Sequence, residues 1–191
     1  MNESRMTEPA SEFLIRPATL EDLPALASLI EQSVRRLQTA DYSPTQIDAS
    51  IGSIFGTDCQ LIADGTYFVA VPHNAPTQLV ACGGWSYRRT LFGSDQHTDR
   101  DATPLNPATE AAKIRAIFVH PDFARRGLGS LILAHCEAAA QTAGYARFEM
   151  GSTLTGVALY KLRGYVEQQR ITSRLPNGED LPIVLMQKTL R

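Results

Sequence analysis

The chain has 191 residues, 43% of them hydrophobic and 20% charged, with a net charge of −2. These proportions suit one globular domain and give no electrostatic reason to expect nucleic acid or an anionic membrane as a partner. Cys59, Cys82 and Cys136 are odd in number and form no Cys-x-x-Cys pair, which argues for free thiols rather than a disulfide framework or a zinc site.

Residues 1–12 are polar, lack signal-peptide character and read as a flexible tail. No apolar run is long enough to span a membrane, so a cytoplasmic protein with one domain over 13–191 is expected. Phe13 to Arg16 reads as a strand ended by Pro17. Thr19-x-x-Asp22 is a helix start of capping-box type. Leu23, Leu26, Ala27, Ile30, Val34 and Leu37 then keep helical spacing, which predicts a helix over about residues 20–38. Ser43-Pro44-Thr45-Gln46 starts a second helix with a cap, a first-turn proline and a Gln that closes the box. Its apolar stripe runs through Ile47, Ile51, Ile54 and Phe55, and Gly56 ends it.

Asp64-Gly65 is a turn before the strand Thr66 to Val71, and Gln78 to Tyr87 is the next strand. The pair Gly83-Gly84 inside it marks a bulge or a close approach by another element. Arg88 to Ala111 is irregular, and a segment of that length in a compact domain is functional or mobile. Its Asp95, His97, Asp99 and Asp101 lack the rigid spacing of a metal site, and no metal is expected.

Ile114 to His120 is rich in β-branched and aromatic residues and reads as a buried strand stopped by Pro121-Asp122. The loop Phe123 to Gly127 follows. From Leu128 the spacing turns helical, with Leu128, Leu131, Ile132, Cys136 and Ala139 on one face and Gly144 as the cap. Strand, glycine-bearing loop and helix together aim free N–H groups and a helix dipole at an anion. The same spacing also fits an ordinary strand–turn–helix. Ala146 to Met150 is a strand and Thr153 to Arg163 a helix closed by Gly164. Tyr165 to Leu175 and Leu181 to Leu190 form a hairpin around Pro176-Asn177-Gly178.

Val119-His120-Pro121-Asp122-Phe123-Ala124-Arg125-Arg126-Gly127-Leu128-Gly129-Ser130 resembles the pyrophosphate-binding motif of the GNAT superfamily of acyl-CoA-dependent N-acyltransferases. Ala124 stands where that family carries Gln or Arg, with Arg125 and Arg126 following. Ala158-Leu159-Tyr160-Lys161-Leu162-Arg163-Gly164-Tyr165 resembles the second family signature, a helix carrying Tyr and ending in Gly-Tyr or Gly-Phe.

The resemblance implies an α/β (α+β) single domain with a mixed, mostly antiparallel sheet, splayed fourth and fifth strands and helices on both faces. It implies acetyl-CoA as co-substrate, held at Arg125, Arg126, Gly127, Leu128, Gly129 and Ser130. The pantetheine arm would run along Ile117, Phe118 and Val119, with an N–H of Phe118 or Val119 facing the thioester oxygen. Tyr160 matches the family's general acid for the departing thiolate. Where many members carry a basic Glu early on the fourth strand, this chain has Lys113. Glu110, His97, His120, Glu149 and a water relay remain as alternatives, and Glu149, on the neighbouring splayed strand, is the residue taken forward. Tyr42, beside Asp41 on the loop joining the first two helices, is a candidate for the acceptor side, as are Trp85 and Tyr87, with Arg88 to Ala111 as a lid. A Trp buried in the core and a surface Tyr fit the spacing as well.

The expected acceptor is a small-molecule amine, with no nucleic acid and no membrane, and a homodimer is compatible with the reading. The alternatives are acetylation of a protein N-terminus or lysine, and a non-catalytic acyl-CoA-binding module. A Rossmann nucleotide site is disfavoured because Gly127-Leu128-Gly129 lacks the third glycine of its fingerprint.

Overall fold

The computed structural model describes residues 12–190. The tail expected over residues 1–12 lies outside them except for Glu12. The elements run β1 (Phe13–Pro17), α1 (Leu23–Leu37), α2 (Pro44–Ser50), α3 (Cys59–Ala63), β2 (Tyr67–Pro72), β3 (Ala81–Ser86) and β4 (Ala112–Val119). They continue through α4 (Leu128–Thr142), β5 (Arg147–Ser152), α5 (Val157–Leu162), β6 (Val166–Arg174) and β7 (Asp180–Thr189).

Local chemistry sets the helix starts where the sequence places them. The Thr19 N–H donates to Asp22 Oδ2 at 2.8 Å, and Arg16 pairs with the same carboxylate at 2.7 Å, which fixes a single 3₁₀ turn ahead of α1. At α2, Gln46 N–H donates to Ser43 Oγ (3.1 Å) and Ser43 N–H to Gln46 Oε1 (2.9 Å), closing the capping box. This helix is shorter than its apolar stripe suggests. It ends at Ser50, whose hydroxyl donates to the Ile47 carbonyl, and Gly52 turns the chain with φ +88°. Ile54 and Phe55 still reach the core, carried by a turn. The five-residue α3 was not expected; Asp58 caps it by accepting from Leu61 N–H at 3.3 Å.

The seven strands form one sheet in the order β1-β2-β3-β4-β5-β7-β6. Every neighbouring pair is antiparallel except β4 and β5. That parallel pair is joined only at Ala112 opposite Phe148 and Lys113 opposite Glu149. Beyond Lys113, β4 keeps β3 while β5 keeps β7 along its whole length, so the two strands part. The mixed sheet with splayed central strands is the architecture expected from the sequence.

Helices cover both faces and divide the core in two. Phe68, Ala70 and Ile114 face Leu128, Ile132 and Cys136 of α4, while Tyr67, Val69 and Val71 face Leu26, Ile30 and Val34 of α1. Strand β2 is buried throughout because its alternating side chains feed both cores. The paired glycines in β3 admit one close neighbour on each face. A Cβ at Gly83 would lie 2.3 Å from Ile132 Cγ2 of α4, and one at Gly84 would lie 2.9 Å from the Thr66 carbonyl and 3.0 Å from Leu61 of α3.

Candidate active site

The loop into α4 presents an unbroken row of backbone donors. Arg125 has φ +65° and Gly127 +81°, and these left-handed residues turn the chain so that successive N–H groups converge. The first intrahelical bond is Leu131 N–H to the Gly127 carbonyl at 3.0 Å. From Arg125 to Ser130, no backbone N–H finds an acceptor among the described residues. Six free donors at the positive end of a fifteen-residue helix are an arrangement that favours an anion. The side chains flanking it act differently from one another. Leu128 is buried in the core, and Ser130 Oγ accepts from Arg163 Nε at 3.0 Å. Arg126 pairs with Glu12 at 2.8 Å and lies over the rings of Phe13 and Phe123, whereas Arg125 is exposed. Gly129 serves packing, since a Cβ there would meet Leu159 of α5 at 3.0 Å.

The parting of β4 and β5 opens a cleft. Ile114 to Phe118 form one wall and Met150 to Thr153 the other. Tyr160 of α5 stands at one side, and Phe55, Leu91, Phe92 and Gly93 at the other. Along this wall the backbone of β4 is distorted. Ala116 has φ +54°, and the register against β3 slips so that Ala116 and Ile117 together oppose Gly83. A non-glycine residue held left-handed costs about 1–2 kcal/mol, and such strain is concentrated at functional positions. Nothing in the residue pattern around Ala116 signals this bulge apart from the glycine opposite.

Tyr160 is nearly buried, and its hydroxyl makes no hydrogen bond among the described residues. Burial pushes the phenol well above its ordinary pKa, so it stays protonated across the physiological range. Gly156 makes room for its ring, because a Cβ there would come within 2.8 Å of Tyr160 Cε2.

Behind the Phe92 side lies a buried charge cluster that sequence reasoning missed. Asp58, 1% exposed, accepts from Arg115 Nη2 (2.8 Å) and Arg100 Nη2 (2.9 Å). Arg115 also donates to the Gly93 carbonyl at 2.6 Å, and Arg100 to the Ser94 carbonyl at 2.7 Å. Burial pulls the Arg115 guanidinium below its ordinary pKa, and Asp58 opposes that pull. The available signal was a charge set among the apolar residues of a strand, which has to find a partner when buried. The segment 88–111 thus forms the cleft wall through Leu91, Phe92 and Gly93, clamped by arginines.

Ile117, Phe118 and Tyr160 meet at the cleft as the sequence placed them, but four other candidates need correction. Glu149 is at the closed end of the parallel pair, ion-paired with Lys113 and accepting from Gln187 Nε2 at 3.2 Å, in a separate depression with Arg147 and Glu110. The register of two joined residues puts the carboxylate opposite the lysine, away from Tyr160. Tyr42 is a buried strut whose hydroxyl donates to the Pro182 carbonyl (2.8 Å) and accepts from Leu154 N–H (2.9 Å). Trp85 packs in the core against Tyr145, and Tyr87 donates to Asp64 at 2.9 Å beneath Arg88. Neither lines the cleft, because β3 ends beside the closed end of β4, with Trp85 opposite Ile114. Among the described residues no cluster of three or more His, Cys, Asp or Glu side chains is arranged to hold a metal ion. No described helix is long and apolar enough to cross a membrane.

The sequence matches the model of the Acetyltransferase (GNAT) family over residues 31–165. No protein of curated function matches. Among solved structures, a GCN5-related N-acetyltransferase from Rhodopseudomonas palustris aligns with a TM-score of 0.69 at 22% identity, covering 98% of this chain and 100% of that one. The PaiA N-acetyltransferase from Thermoplasma acidophilum, solved with coenzyme A, aligns at 0.61 and 13% identity, covering 93% and 98%. A ribosomal-protein-alanine N-acetyltransferase from Brucella melitensis aligns at 0.60 and 19% identity, covering 93% and 99%. At these identities the likeness is one of fold.

Proposed function

The chain belongs to the acetyltransferase (GNAT) family, and from that premise we propose that it transfers an acetyl group from acetyl-CoA to the primary amine of a small-molecule acceptor by direct attack, with Tyr160 as general acid. The observation that carries this reading is the row of six free N–H groups, Arg125 to Ser130, opening onto a strand edge that has lost its partner.

The residues fit the co-substrate. The N–H row and the two arginines would hold the pyrophosphate, and Ile117 to Val119 would take the pantetheine arm as an added strand. Bound there, acetyl-CoA supplies an activated acyl thioester. A backbone donor already fixed beside the Ala116 bulge would meet the developing oxyanion, an interaction worth about 2.7–4 kcal/mol of the barrier. Tyr160, protonated and without a partner of its own, holds a proton for the leaving thiolate. The amine needs to arrive neutral, and among the described residues no Asp, Glu or His lines the cleft. Phe55, Phe92 and the clamped wall enclose the acceptor side, which suits a small amine better than an extended peptide.

The test is thiol release from acetyl-CoA over a panel of small amines and, separately, peptides with free N-termini or lysines. Release with small amines is expected. Tyr160→Phe should lower turnover by about 10²-fold or more and leave acetyl-CoA affinity near wild type. Unchanged turnover removes Tyr160 from its role. Binding of acetyl-CoA without release by any amine makes the protein a binding module, and release with peptides alone moves it to protein acetylation.

A further inference from the structure

Two side chains in the cleft wall are buried without the partners they need. Gln38, at the C-terminal end of α1 and 6% exposed, makes no side-chain hydrogen bond among the described residues, and its Oε1 is buried and unsatisfied. Arg115, 5% exposed, uses Nη2 for Asp58 and the Gly93 carbonyl, while its Nε is buried with no acceptor. Both residues line the cleft. Buried polar groups are paired in folded proteins as a rule, and two exceptions lining one cleft are an acceptor and a donor that a ligand there would complete.

Charge points to the same ligand. Arg100 and Arg115 share the single carboxylate of Asp58, so the directly paired groups carry one positive charge in excess, offset at longer range by Asp95. Asp95, the other carboxylate nearby, is turned to the Cys59 N–H at 2.9 Å. His97 also lies nearby, where burial lowers its pKa and favours the neutral ring. Among the described residues no acidic side chain lines the cleft. The rest of the lining is apolar, with Ile54, Phe55, Phe92, Phe118 and Ile183 around the two polar groups.

Resting on the acetyltransferase reading above, we propose that the acceptor is an amino-acid-like amine with an apolar body, its carboxylate bound at Arg115 and its amino hydrogens received by the Gln38 carboxamide. Arg115 directly precedes the Ala116 bulge, so an acid group held there brings the amine to the open edge of β4. Arg115 and Gln38 act as specificity-determining residues for the transfer.

The experiment compares matched acceptors on the wild-type protein with acetyl-CoA: free leucine, phenylalanine and methionine, their carboxamides, and the corresponding decarboxylated amines. The free acids are expected to give thiol release with kcat/KM about 10²-fold higher than either uncharged set, because a site built for a charged hydrogen bond rejects a ligand that leaves it unpaired. Gln38→Met removes an unpartnered group, so thermal stability should hold or rise while KM for the acids rises about tenfold. A merely structural Gln38 would not produce that split. Arg115→Gln should erase the preference for acids over carboxamides. If it fails to fold, the wild-type comparison and Gln38→Met still decide the matter. Equal rates for acids and uncharged amines overturn this inference and leave the acetyltransferase reading standing. No thiol release with any amine or peptide overturns that reading, and this one with it. Release with peptides alone overturns the inference while acetyl transfer stands.

Discussion

Replacing Asp58 by Asn tests whether the buried arginine cluster fixes the cleft wall. The substitution keeps the volume and leaves an oxygen to cap Leu61 N–H at the start of α3, so the charge is what disappears. Arg115 is then left with the Gly93 carbonyl alone, at 3% side-chain exposure, while Arg100 at 21% can turn partly to water. Removing one partner of a buried ion pair costs about 3–5 kcal/mol, because the remaining charge is stranded. Unfolding entropy of about 2.1 cal/mol/K per residue gives about 0.4 kcal/mol/K for 191 residues. The melting temperature should therefore fall by about 8–12 °C. Calorimetry on Asp58→Asn, Arg115→Met and the double variant measures this directly. The double variant should recover much of the loss, since an apolar side chain replaces the stranded charge. A fall of less than about 2 °C in Asp58→Asn, or strict additivity in the double variant, would refute the clamp.

Three further outcomes follow from the same geometry. Gly127→Glu forces a side chain into a φ of +81° and places a carboxylate among the free N–H groups, so acetyl-CoA binding measured by titration calorimetry should be lost; wild-type affinity would rule out the anion seat. Asp22 is held down to about 2, first by hydrogen bonds from Arg16, against an ordinary 3.8. Its contribution of about 2 kcal/mol is fully present above about pH 5 and is lost as pH falls through the folded value. Denaturant melts between pH 5 and pH 2.5 should show an acid limb that flattens in Asp22→Asn, and identical limbs would refute the linkage. Gly83→Ala places a Cβ 2.3 Å from Ile132 Cγ2 and 2.9 Å from Ile117, an overpacking that should cost about 1–3 kcal/mol in chemical denaturation. A neutral result would mean that α4 is free to move off β3.

The fold was legible where the signals are local. Capping boxes at Thr19 and Ser43, the turn at Asp64-Gly65 and the hairpin at Pro176-Asn177-Gly178 each involve a few adjacent residues, and each forms where it was read. The row of free N–H groups was legible for the same reason, since one loop and the helix turn after it supply all of them. Helix α3 escaped because five residues are too few to display a period. The Phe92 wall of the cleft escaped because its parts are distant in sequence: Gln38, Asp58, Phe92 and Arg115 converge only once the sheet has formed. Glu149, Trp85 and Tyr42 mark the limit of residue type as a guide. Each has suitable chemistry, and each is committed elsewhere by a register or a backbone partner that no sequence pattern prints.

The two halves of the site are linked by one small residue. Gly83 lies opposite the Ala116 bulge and beneath Ile132 of α4, so the same missing side chain lets the helix press onto β3 and lets β4 take its extra residue. The row of free N–H groups leads into the first turn of that helix, and the open edge belongs to the strand just past that bulge. Any shift of α4 along β3 would therefore change the separation between the two. Packing at this contact is dense, with Ile132 fully buried and Ile117 wedged beside it, and dense cores move between discrete arrangements rather than sliding. The distance from the row of free N–H groups to the open strand edge is thus held by core packing at Gly83, and the clamped Arg115 beside the bulge ties the Phe92 wall of the cleft to that same point.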